Sequence, residues 1–290
     1  MKKTICVILA LFCITACGTS SKNKVITLAS STENRDIFVS QIMSYILEEN
    51  GYKVDRQFNL DSKDLQSKLE DGSIDLYTGY LDDVYKNILH EKKFILGDKK
   101  YKLVKEEMKK HNTDILGKTL ASASLGFAID KKVAEYYKIK KISDLKKNAN
   151  NLKFEFDDSF KDSDFGEKRL NQIYGQMNWK DLSIQKYSQK ELNILSGNAD
   201  VITCDATDPK MENDNIKILK DDKKAFRNYN NIIFMGNKNY VNQHKDLNHV
   251  FNRLGKILST RLLREYLAKM DPDEMQVKSI ASRFYTNEIH

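Results

Sequence analysis

Leu69-Glu70-Asp71-Gly72-Ser73-Ile74-Asp75-Leu76-Tyr77-Thr78-Gly79-Tyr80 decides the reading of the fold, and a second stretch repeats its pattern. That second stretch is Leu195-Ser196-Gly197-Asn198-Ala199-Asp200-Val201-Ile202-Thr203-Cys204-Asp205-Ala206-Thr207-Asp208. Each runs from a helix end through a glycine, two residues and an aspartate into an apolar run. Gly72 and Gly197 stand where a helix C-terminus favours a residue tolerant of positive φ. Ile74, Leu76, Val201 and Ile202 then begin strands of the buried, parallel-sheet kind. Ligands of open α/β sheets bind just beyond the carboxyl ends of strands. Tyr77 and Tyr80 fall at one such end, and Cys204, Asp205 and Asp208 at the other. Two similar α/β units facing each other predict a cleft between two lobes.

Working outward, βα alternation covers the chain. Val25–Ala29 reads as a strand, and a helix follows with apolar positions 37, 38, 42, 43, 46 and 47. Tyr52–Leu60 completes a βαβ opening, whose crossover is expected to be right-handed. Ser30–Thr32 can cap the first helix, and the same loop can hold an anionic or polar ligand group. Asp82–Lys110 reads as a charged, mostly helical excursion, and Leu116–Ile129 as a strand leaving the first lobe. Amphipathic helices at 247–258, 262–270 and 271–284 finish the chain.

Length and composition set outer bounds. The 290 residues suffice for two domains, and 40% hydrophobic with 31% charged residues describes a globular chain with a lysine-rich surface. The formal charge of +7 is spread among 41 acidic residues, with no basic run or arginine cluster of the kind phosphate contacts need, so no nucleic-acid partner is expected. At the N-terminus, Lys2 and Lys3 precede the apolar run Ile5–Ile14, then Thr15-Ala16-Cys17. This pattern is a secretory signal. Its apolar run falls short of the roughly 20 residues a spanning helix needs. With Cys6 and Cys13 lost in the leader and Cys17 at the cut, Cys204 remains the one free thiol. Cys204 itself reads as a small buried hydrophobe.

Thr15-Ala16-Cys17 resembles a bacterial lipobox. That resemblance implies cleavage before Cys17, its lipidation, and retention on the outer face of the cytoplasmic membrane. Glu49–Val54, Asp71–Tyr77, Lys138–Leu145 and Asn198–Asp208 resemble, in register, the substrate-binding lipoproteins of osmoprotectant ABC importers, the glycine betaine/carnitine/choline group. The resemblance implies a type II periplasmic-binding-protein fold, an α/β architecture in which each lobe is a mostly parallel sheet flanked by helices. The expected organisation is a signal at 1–16, a tether at 17–24, lobe I at 25–122 and 209–290, and lobe II at 123–208. It further implies a small-molecule solute, trapped when the lobes close, and an ABC permease as partner. Trimethylammonium ligands have no N–H to donate and are held by aromatic faces, each contributing about 0.5–2 kcal/mol when desolvated.

The family's cage tyrosines match Tyr80 and Tyr229, and its Ser/Thr-Glu loop matches Thr32-Glu33, with Asn34 in place of glutamine. Two further aromatic cage positions are here Leu125 and Asp205. The family's Thr-Gly-Thr is here Leu81-Asp82-Asp83. Candidate ligand contacts are therefore Tyr80, Tyr229, Asp205, Thr32, Glu33, Asn34, Tyr77 and Leu125. Asp205 and Asp208 also suit turn or capping roles. Asp82-Asp83 and Asp157-Asp158 read as solvated loop charges, and Trp179 as lobe packing. No serine-nucleophile elbow, zinc-binding His-Glu-x-x-His, phosphate loop or dinucleotide glycine turn occurs, so no enzyme, cofactor or metal is expected. His244 and His249, five apart, fall on different helix faces. The competing expectation is a lipoprotein of the same fold with a degenerate cleft, acting in adhesion or signalling.

Overall fold

A computed structural model describes residues 24–93, 95–163, 165–226, 230–270 and 274–290. The expected leader, Cys17 and all but the last residue of the expected tether lie outside them, as does Tyr229. The first unit is built as β1 (Val25–Ser31), α1 (Asn34–Glu49), β2 (Lys53–Leu60), α2 (Ser62–Asp71) and β3 (Leu76–Tyr80). β4 (Thr113–Ser122) follows the charged excursion, and β5 (Leu125–Asp130) follows β4 after two residues. The expected single strand at 116–129 is thus two, split at Ala123-Ser124 where the chain passes between sheets. β6 (Lys153–Phe156), β7 (Asp181–Ile184), β8 (Val201–Asp205) and β9 (Ile216–Ile218) come next, then β10 (Asn231–Asn237).

Two five-stranded sheets result, ordered β2-β1-β3-β10-β4 and β7-β6-β8-β5-β9. In each, four strands run parallel to one another and one runs antiparallel. β10 runs antiparallel to β3 and β4, and β5 antiparallel to β8 and β9. The two-lobe α/β fold with mostly parallel sheets is as expected, and the one antiparallel strand of each sheet, β10 or β5, is the strand that enters from the other lobe. The short repeat falls at matching places: β3 and β8 are the central strands of their sheets. Gly72 and Gly197 both take positive φ, 83° and 76°.

The second lobe also continues beyond the expected boundary at 208. β9 pairs with β5, and Leu219, Ala225 and Phe226 join the second core. The chain returns to the first sheet only at β10. Phe127, Phe154, Phe160 and Phe226 form the aromatic centre of lobe II, with Trp179 stacked on Phe154 at 4.4 Å. In lobe I the C-terminal helix Glu274–Phe284 packs on α1, Phe284 standing edge-on to Phe38. Among the described residues no helix is long and apolar enough to cross a membrane.

One residue of each acidic pair departs from the expectation of solvated charges, while Asp83 and Asp158 are exposed as expected. Asp82 is buried and bonded to Lys100, whose side chain is 2% exposed. Asp157 accepts a hydrogen bond from the equally buried Lys190, which also donates to Thr203. Carboxylates at strand ends are read as solvent-facing by default. A long lysine stem threading an apolar core reverses that.

A cation already seated between the lobes

β3 delivers Tyr80 at its last position, and the first turn of α1 brings Arg35 and Asp36 beside it. Arg35 Nε donates to Tyr80 Oη at 2.7 Å, and its guanidinium carbon lies 4.8 Å from the Tyr80 ring centroid. From the opposite lobe, the end of β8 offers Asp205, whose carboxylate takes Arg35 Nη1 at 3.0 Å. The same nitrogen donates to Thr207 Oγ1. Side-chain exposures of 24% and 33% make this a half-shielded ion pair, stronger than a surface one. Burial opposes the Arg35 charge, yet Tyr80, Asp205 and Asp36 outweigh it and raise the pKa. Asp205 also folds its own turn, accepting Thr207 N–H at 2.8 Å. It therefore takes the turn role that the sequence allowed and also bridges the two lobes.

Asp36 sits beneath this cation. It accepts hydrogen bonds from Ser31 and Tyr80 hydroxyls and is buried. Burial pushes its carboxyl above the ordinary 3.8, and the hydrogen bonds and Arg35 reduce the shift without cancelling it. A carboxyl with a raised folded-state pKa adds stability when protonated. That contribution is complete below the unfolded value and is lost as pH rises through the folded one. Unfolding free energies of wild type and Asp36→Asn should therefore shift relative to each other in favour of wild type as pH falls from neutral toward 4. Urea denaturation at several pH values reads this; a difference constant with pH would contradict the assignment.

Other candidates are distributed unevenly. Glu33 and Asn34 are exposed and line, with Arg35, Tyr187, Asp205 and Thr207, an interlobe cavity of about 610 Å³. Thr32 is exposed beside them. Ser31, not Thr32, takes the Glu33 N–H, and Glu33 is the helix N-cap without a side-chain cap bond. Tyr77 is buried and donates to Gln66, facing a pocket of about 560 Å³ within lobe I that reaches Tyr80 and Arg35. Thr78 lines that pocket with a buried hydroxyl that has no partner among the described residues. Leu125 pairs directly with Asp205 across β5 and β8 and lines a further interlobe cavity with Asp82, Lys86 and Phe165. Cys204 is buried beneath Asp205, its thiol pushed up to about 12 by burial. Among the described residues no group of three or more His, Cys, Asp or Glu is placed to hold a metal ion.

Arg35 was not among the candidates. One signal could have found it. It stands in the first turn of α1, where the positive end of the helix dipole disfavours a cation, so some partner had to hold it. A second arginine, Arg264, also crosses the cleft, bonding Glu212 and the Ala206 carbonyl.

The family model described as the substrate binding domain of ABC-type glycine betaine transport system matches residues 24–287. The carnitine transport binding protein OpuCC of Listeria monocytogenes serotype 1/2a (strain 10403S) is 25% identical over 278 residues, covering 92% of this chain and 87% of its own. The ergothioneine transport permease/ergothioneine binding protein EgtU of Helicobacter pylori (strain G27) is 21% identical over 266 residues. That match covers 91% of this chain and 47% of EgtU, so the chain spans about half the length of that relative. Among solved structures, a glycine betaine/carnitine/choline ABC transporter protein superposes with a TM-score of 0.77 at 20% identity, over 90% of this chain and 97% of that one. Apo YehZ from Escherichia coli gives 0.78 at 14%, over 91% and 98%. At these identities the structural likeness speaks for the fold.

Proposed function

The chain belongs to the family of substrate-binding domains of ABC-type glycine betaine transport systems, and from that premise we propose that its interlobe cleft takes a small cationic or zwitterionic amine. Members of this family bind solutes rather than transform them. The observation that carries the ligand class is the guanidinium held between the Tyr80 face and the Asp205 carboxylate. A place that seats one delocalised cation by a ring face and a carboxylate has the chemistry to seat another. Tyr80 and Asp205 are the primary contacts in this reading, with Glu33, Asn34 and Leu125 at the cleft walls and Tyr77 deeper in lobe I. Thr32 and Tyr229 complete the proposed set. Closure around the solute would present one joined surface to a membrane permease, with the protein exported and held on the outer face of the cytoplasmic membrane through lipid on Cys17.

A thermal-shift panel of glycine betaine, carnitine, choline, ergothioneine and basic amino acids tests the reading. A true ligand at 100-fold excess over its dissociation constant should add about 2.7 kcal/mol of stability. The same filled cleft is what a degenerate, adhesive or signalling lipoprotein would show. A melt that no panel member shifts, in wild type or in variants that vacate the cleft, would favour that alternative.

A further inference from the structure

We propose that Arg35 is a tethered competitor: its guanidinium occupies the cation seat and sets which solutes, and at what affinity, the cleft accepts. The inference rests on the cationic-solute reading and deepens it. Four contacts place the guanidinium in the seat rather than beside it. Its carbon lies over the Tyr80 ring at 4.8 Å, Nε bonds Tyr80 Oη at 2.7 Å, Nη1 bonds Asp205 at 3.0 Å, and Nη1 also bonds Thr207. Tyr80 and Arg35 belong to lobe I, Asp205 and Thr207 to lobe II. The side chain therefore satisfies both halves of the cleft, as a bound solute would.

Two groups of this chain fix it there. Asp36 takes the Tyr80 hydroxyl hydrogen, which turns the oxygen lone pairs toward Arg35 Nε. Asp205 is locked by the Thr207 N–H on its other oxygen, leaving Oδ2 for the guanidinium. An incoming cation must displace Arg35, so its apparent dissociation constant is the intrinsic one divided by the fraction of molecules whose seat is free. A seat free in one molecule of ten weakens binding about tenfold, and in one of a hundred about a hundredfold. The solute must then offer more than a stackable charge. N–H donors for Asp205 and Thr207, or a second group reaching the lobe I pocket at Thr78 and Gln66, would provide it.

Calorimetric titration of choline and glycine betaine into wild type, Arg35→Ala, Arg35→Gln and Arg264→Ala tests this. Both Arg35 variants should bind choline at least about tenfold more tightly than wild type, and millimolar guanidinium chloride should compete in them. Arg35→Gln keeps a polar side chain and serves if Arg35→Ala fails to fold. Arg264→Ala removes the other interlobe bridge and leaves the seat filled, so its affinity should stay near that of wild type. Equal or weaker binding in the Arg35 variants, with wild type binding measurably, overturns the competitor and leaves the cationic-solute reading standing. An equal gain in Arg264→Ala would also overturn it, assigning the gain to loosened lobes. If no variant binds either probe and no other cation of the panel shifts the melt, both readings fall.

Discussion

Asp82→Ala is expected to lower the unfolding free energy by about 3–5 kcal/mol, a large part of the roughly 5–15 kcal/mol typical of a folded domain. Asp82 is 5% exposed, and its carboxylate is divided between Lys100, on one oxygen, and Lys86, on the other at 2.9 Å. Its backbone N–H is held by the Asn230 side chain at 2.8 Å, tying the end of β3 to the start of β10. Lys86 is half exposed and can turn to water, whereas Lys100 cannot. Truncating the carboxylate leaves that ammonium among the Tyr85 and Phe165 rings, at 5.2 and 5.3 Å, without its bonded acid.

Burial already lowers the Lys100 pKa, with Asp82 opposing the shift; removing Asp82 lowers it further. A base whose folded pKa lies below its unfolded value gains stability as pH rises through the folded one. Asp82→Ala should therefore recover stability on the alkaline side. Pairing it with Lys100→Met should restore most of the loss, since replacing a buried ion pair by apolar groups is often close to neutral. Chemical denaturation across pH measures all three. A loss below about 1 kcal/mol would mean the pair is far better solvated than its exposure indicates.

The architecture was legible because a short pattern recurs in the sequence. Gly72 and Gly197 need positive φ, and each marks the turn into the central strand of a sheet, so two short stretches located both lobes. What escaped was set by contacts between distant segments. β9 has only three residues, Ile-Lys-Ile, too few for their alternation to say which sheet they join; only its pairing with β5 assigns it to lobe II. Asp82 and Asp157 looked solvated because burial of Lys100 and Lys190 is a property of the packed core and not of either dipeptide. At the site, Tyr80 and Asp205 were legible as strand-end residues. Their joint partner was not, because a search for an aromatic cage looks for rings and passes over a lone arginine 45 residues from one contact and 170 from the other.

Leu125→Tyr with Asp205→Tyr is expected to strengthen choline binding by about 1–4 kcal/mol, which at 1.4 kcal/mol per tenfold is a change from about fivefold to nearly three orders of magnitude. The two positions are those that the family resemblance matches to cage aromatics, and here they are direct cross-strand partners. Side chains so paired stand on one face of the sheet about 4.5–5.5 Å apart at Cβ, so two rings would form adjoining walls opposite Tyr80.

The single changes should not contribute equally. Leu125→Tyr adds one ring face. Asp205→Tyr adds a ring and also removes the carboxylate that holds Arg35 at 3.0 Å, leaving the guanidinium only Tyr80 and Thr207. Asp205→Tyr alone should therefore give the larger gain. It should also reverse preference: a carboxylate wall favours cations with N–H donors, whereas a ring wall favours fully methylated ones that cannot donate. Calorimetry with choline and with free arginine, on the two single variants and the pair, separates these effects. Loss of choline affinity in the double variant, or an unchanged ratio of choline to arginine affinity, would place the cation somewhere other than between Tyr80 and the end of β8.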